Sequence, residues 1–236
     1  MRRESPKDAH GPEPSGSPLL REGTRAYARP SLEFDRFVFF SDAVFAIALT
    51  LLVVGIAVPR VADAASSEEM WDALVDLRAE FISFFIAFAV IGRYWLAHHR
   101  FVGVLAAVES RLLVVNLVYL AFIAFLPFPT ALVGRYEGNL VAFAFYAGIL
   151  AVISGLETIL FVVALRGGLL GAVLPPPVVR HGLIASTLPV AVFLLSIPLA
   201  LVAGSTLAIL SWLLIWPLEA LLDRRSPERA DNWRPA

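Results

Sequence analysis

Between Phe37 and Leu222 the chain falls into long apolar runs separated by shorter polar stretches. Six are long enough to count: about 36–58, 80–102, 111–132, 138–165, 181–203 and 205–222. A helix needs roughly 20 mostly apolar residues to cross the hydrocarbon of a bilayer. In that solvent every backbone N–H and C=O must be bonded internally, which makes a single apolar run a helix. The rival is a set of buried helices inside a large soluble protein. With 58% hydrophobic and 17% charged residues, and a mean hydropathy of +0.76, too little polar chain remains to wrap six such rods. The sequence predicts an all-α integral membrane protein with six transmembrane helices per subunit.

The flanks read differently. Residues 1–34 are polar and rich in Pro, Gly, Ser and charge, which predicts a disordered tail. They form no signal peptide, because no apolar stretch follows the opening arginines until Phe37. Residues 35–222 form the six-span domain, and 223–236 are a second polar tail. Gly204-Ser205 alone separates the last two runs and predicts a tight hairpin. Basic residues set orientation. With the N-terminus inside, fifteen of the 19 Lys and Arg fall on the cytoplasmic side and three on the other, so both termini are expected in the cytoplasm. The first outer loop holds Asp63, Glu68, Glu69, Asp72 and Asp76, either a short solvated helix or an acidic vestibule. Trp71, Trp212 and Trp216 suggest interface anchors or helix packing.

Several functions are excluded or weakened. The net charge of −1 offers no field for nucleic acid. There is no cysteine, hence no thiolate metal site or cysteine nucleophile. No Ser/His/Asp order, metal-spaced histidine pair or phosphate loop stands out, so neither an enzyme nor a cofactor is expected. His98 and His99 are adjacent and point about 100° apart on a helix, a poor geometry for one metal.

Polar residues inside the spans are costly and mark the places of interest. Asp42 lies six residues past Arg36, roughly 9 Å deeper and about 120° around the helix, so the two cannot pair along one face. Depth reckoning from the span ends brings Asp42, Arg93, His98, His99, Asn116 and Glu157 to similar depth from four helices. One buried polar layer is the expectation, with Arg93 and Glu157 as its ion pair. Asp42 either fixes packing or takes part directly in transport. Farther along the first span, Ala43, Ile47, Thr50, Leu51 and Val54 recur at helical spacing on one face. Taken alone, that stripe is as compatible with lipid or core as with a pore.

Arg36-x-x-x-Phe40-Ser41-Asp42 resembles the signature of the transmembrane protein 175 family, potassium channels of bacteria, archaea and animal endolysosomes. The continuation from Ala43 to Leu52 is similar to that family's first helix. Tyr94-Trp95-Leu96-Ala97-His98-His99-Arg100 is similar to its second-helix ending, and Leu126 to Gly134 to the end of its third. The resemblance covers roughly residues 33–222, and Arg93 departs from the pattern.

The resemblance implies a potassium channel of the plasma membrane, with K+ as permeant ion and no cofactor. A chain with one six-span unit implies a homotetramer around a pore lined by helix 1. By position, Ile47 forms a hydrophobic constriction, Thr50 a ring of hydroxyls, and Leu51 and Val54 the outer lining, with Ala43 on the same face. Arg36, Phe40, Ser41, Asp42, Trp95, His98, His99 and Asn116 fall to the structural polar network. A rival reading is a proton-coupled or cation secondary transporter, using Asp42, His98, His99 and Glu157 as a relay; another is a non-conducting membrane enzyme or scaffold.

Overall fold

A computed structural model describes residues 26–29, 31–63 and 66–224, apart from the side chain of Asp223. Six apolar helical segments have the length and composition to cross a membrane: Leu32–Gly55, Arg78–Gly103, Ser110–Arg135, Leu140–Gly167, Pro176–Ala203 and Ser205–Leu222.

The first segment is α1 (Leu32–Leu51), extended by a tighter turn over Leu52–Gly55. Ser31 starts it: its side chain accepts from the Phe34 N–H at 3.2 Å, and Glu33 and Asp35 place negative charge in the first turn. Both features suit the positive end of a helix dipole. A short helix, α2 (Ser67–Asp76), follows in the first loop with none of its residues buried. α3 (Arg78–Gly103) is the second span. The third divides into α4 (Ser110–Phe125) and α5 (Pro127–Arg135). Pro127 and Pro129 lie inside this span, where a proline in the middle of a helix would break it. They restart it instead, because a proline near the N-terminus of a new helix lacks only an N–H that would have no helical partner.

α6 (Leu140–Gly167) begins at Asn139, whose Oδ1 accepts from the N–H groups of Val141 and Ala142. α7 (Pro176–Ala203) runs through Pro189 and Pro198 without ending. Gly204, at φ 87° and ψ 158°, then reverses the chain directly into α8 (Ser205–Ser211). This is the tight hairpin expected between the last two spans. A tighter turn over Trp212–Leu214 leads to α9 (Ile215–Arg224).

α4 lies against α1 and α6, and α7 packs along α6. Leu112, Tyr119, Leu120 and Ile123 of α4 meet Phe143, Tyr146 and Leu150 of α6 in the buried core. Trp212 is buried among three rings: stacked on Phe143 at 5.6 Å, edge-on to Phe193 at 5.3 Å and tilted against Tyr146. Trp71 and Trp216 stay exposed.

Strand β1 (Ala26–Ala28) pairs antiparallel with β2 (Ala107–Glu109), in the register Ala26 to Glu109, Tyr27 to Val108 and Ala28 to Ala107. This corrects the inner boundary of the expected tail: ordered chain includes residues 26–29, and α1 is already helical at Leu32. The pairing satisfies backbone groups that polar composition alone left without partners. The rest of the expected tail, residues 1–25, and the second tail from 225 lie outside the described residues.

Candidate functional site

α1 has two faces of opposite character. Phe34, Phe37, Ser41, Phe45, Ala48 and Leu52 are buried against α3, α4 and α5. On the other side Ala43, Ile47, Thr50, Leu51 and Val54 are all exposed, Ile47 at 56% and Val54 at 74%. The Thr50 hydroxyl donates to the Ile47 carbonyl at 2.8 Å, so its oxygen lone pairs remain free toward the open side. At the far end of this segment, Gly55 sits so close to α5 that a Cβ there would meet the Ala131 Cβ at 3.1 Å.

Behind this face lies a chain of buried polar groups. The Ser41 hydroxyl donates to the Phe37 carbonyl at 2.9 Å. The Asn116 amide donates to Ser41 Oγ at 3.0 Å, and His98 Nε2 bonds Asn116 Oδ1 at 2.8 Å. Because an amide oxygen only accepts, the imidazole carries its proton on Nε2. Its ring stacks on Tyr119 at 5.6 Å and 7°, with Phe45 5.6 Å away. One residue on from Ser41, Asp42 accepts from the Trp95 indole N–H at 2.9 Å, and the Trp95 ring packs 5.6 Å from His99. Serine, asparagine, histidine, aspartate and tryptophan from three spans thus fasten α1 from behind.

Three members of the expected network lie elsewhere. Arg36 and Phe40 are exposed, lining a surface groove with Tyr27, Glu33 and Leu113. His99 is exposed as well, against the Trp95 ring.

The expected ion pair is corrected. Arg93 pairs through Nη2 with Oε1 of Glu219 on α9. Glu157 is within electrostatic reach of Arg93 and lines the same cavity, without a hydrogen bond to it. Glu219 was overlooked. It is the sole charged residue in 205–222, and an intramembrane carboxylate was the signal that could have found it. The single layer expected across the bundle is therefore two clusters: Ser41, Asn116 and His98 with the neighbouring Asp42 and Trp95 behind α1, and Arg93, Glu157 and Glu219 among α3, α6 and α9. A further buried bond, Tyr94 Oη to Ser154 Oγ at 2.8 Å, joins α3 to α6 and was not foreseen.

Six apolar helices held by buried polar bonds, with apolar side chains exposed along the spans, define a multi-pass helical membrane protein. Residues 36–127 match the family model described as endosomal/lysosomal potassium channel TMEM175. A potassium channel of Streptomyces collinus is 38% identical over 104 residues, 44% of this chain and 49% of that protein. The mouse endosomal/lysosomal proton channel TMEM175 is 34% identical over 131 residues, 53% of this chain and 24% of that protein. The chain thus spans about half the length of the first relative and a quarter of the second. The crystal structure of a lysosomal potassium-selective TMEM175 homologue from Chamaesiphon minutus superposes with a TM-score of 0.65 at 27% identity, covering 84% of this chain and 100% of that one.

Proposed function

We propose that this protein is a potassium channel in which four copies surround an axis lined by the exposed face of α1. One observation carries the reading. α1 is held by buried polar bonds on one side and presents Ala43, Ile47, Thr50, Leu51 and Val54 on the other. A helix fixed from behind, with an apolar face and one hydroxyl, is suited to line a narrow passage. The family match and the names of the similar proteins support potassium as the ion.

In this reading four Ile47 side chains make a neck too apolar to coordinate an ion, and a closed neck is dry. Opening widens the ring enough for a partly hydrated cation. Potassium surrenders water more readily than sodium, so the neck favours it. Thr50 oxygens replace part of the lost hydration next to the neck, and selectivity is weaker than a cage of carbonyls would give. Both termini face the cytoplasm of a cell whose plasma membrane holds the channel, in keeping with the excess of arginine on that side.

Recording single channels from the purified protein in planar bilayers tests the reading. Currents should reverse near the potassium equilibrium potential under opposed potassium and sodium gradients. Slow, saturating flux coupled to protons would instead indicate a carrier.

A further inference from the structure

The second polar cluster has no part in the proposed conduction path. Arg93, Glu157 and Glu219 line a cavity of about 1030 Å³ bounded by α3, α6, α7 and α9. Phe88, Trp95, Phe161 and Trp216 supply much of its wall, and Ser186 of α7 adds a hydroxyl-bearing side chain. α1 reaches the cavity only at Leu49, which is not on the exposed stripe.

Carboxyl groups outnumber the guanidinium among the described residues of this cluster. Two carboxylates share one guanidinium: Glu219 holds Arg93 in the ion pair, and Glu157 is left in its field with no hydrogen bond from any described residue. Among the described residues the other cation on the wall, Arg100, is exposed and seven residues further along α3, roughly 10 Å toward its end. A carboxylate within a membrane span calls for a positive partner or a proton. A small inorganic ion would leave most of the cavity unfilled. Its volume is that of a pocket for an organic molecule, and its aromatic walls favour a cation against their faces.

We infer that this cavity binds a hydrophobic organic ammonium ion, its N–H group on Glu157 and its apolar body against Trp95, Phe161 and Trp216. The ligand gives Glu157 the hydrogen-bonding partner that the described residues do not, and the lateral position keeps it off the conduction path.

The test uses the purified full chain in lipid nanodiscs and three matched probes: 3,3-diphenylpropylamine, 3,3-diphenylpropanol and 3,3-diphenylpropanoate. Binding is read by equilibrium dialysis and by quenching of tryptophan fluorescence. The amine should bind roughly ten- to a hundredfold more tightly than the alcohol, the span expected for a charge-assisted hydrogen bond. The carboxylate should bind least. Glu157→Gln should bring the amine down to the level of the alcohol. Equal binding of amine and alcohol, or amine binding untouched by Glu157→Gln, overturns the proposal. So does rubidium-86 binding that needs Glu157 while the amine fails to bind. Should Glu157→Gln not assemble, an aryl-azide derivative of the amine is photolysed on the unaltered protein. Labels on α3, α6 or α9 residues lining the cavity support the site, and labels confined to α1 overturn it. None of these readouts depends on current, so the channel reading and this one can fail separately.

Discussion

Ser41 and Ile47 stand six residues apart on one helix and meet opposite surroundings, 1% exposed against 56%. Ser41 is valuable for what it accepts. Asn116 bridges it to His98, so Asn116→Leu strips both neighbours of a partner at once. A buried polar group left unpaired costs about 1–3 kcal/mol. The variant should therefore melt several degrees lower in detergent, as followed by intrinsic fluorescence. Asp42→Ala removes the acceptor of the Trp95 N–H and should weaken the assembly, whereas Asp42→Asn keeps an oxygen and should weaken it less. Size-exclusion chromatography with light scattering would rank the two, and equal behaviour would remove the Trp95 bond from the account. Ile47 is valuable for what it refuses. In the proposed pore Ile47→Asn would wet the neck, so conductance should rise and the preference for potassium over sodium fall in bilayer recordings. Legibility at this scale was uneven. Ser41, Asp42, His98 and Asn116 stood out because polar groups deep in apolar runs need partners. Reckoning by depth could say which residues share a level but not which face one another. That is why Arg93 was matched to Glu157 and not to Glu219, which no spacing rule places beside it.

Elements were easier to read. Apolar runs of membrane-spanning length announced six helices because lipid leaves the backbone few alternatives. Their ends moved by several residues, since caps such as Ser31 and Asn139 are polar and sit outside a hydropathy pattern. The pairing of β1 with β2 was invisible: three residues per strand carry no periodicity to detect. The connection between α7 and α8 makes a sharp claim. Gly204 adopts a backbone conformation essentially closed to other residues, at a cost of order 1–3 kcal/mol if one is forced there. Gly204→Val should lower the melting temperature clearly. Gly148→Ala, in the middle of α6 with nothing within 4 Å of the added methyl, should change it little. Similar losses in both would mean the hairpin does not depend on its glycine.

As a whole the molecule exposes large apolar residues on every span, among them Phe39, Phe85, Val141, Leu195 and Leu213. Patches of that kind face lipid or another protein. The proposed assembly assigns the Ile47 side of α1 to an axis shared by copies. The mass of the complex in mild detergent, corrected for bound detergent, should then equal four chains. A single chain would leave that face to lipid and end the pore reading.

The antiparallel pair at the head of α1 carries a practical consequence. Ala26–Ala28 is stitched to the α3–α4 connection, Arg29 N–H donates to the Ala106 carbonyl at 2.9 Å, and its guanidinium lies 4.9 Å from the Phe34 ring centre. Any load attached upstream, such as a fluorescent fusion or a purification handle, pulls first on this clasp and not on the rod behind it. Anchoring of that sort is strain relief, the arrangement by which a cable is clamped before it reaches its terminal.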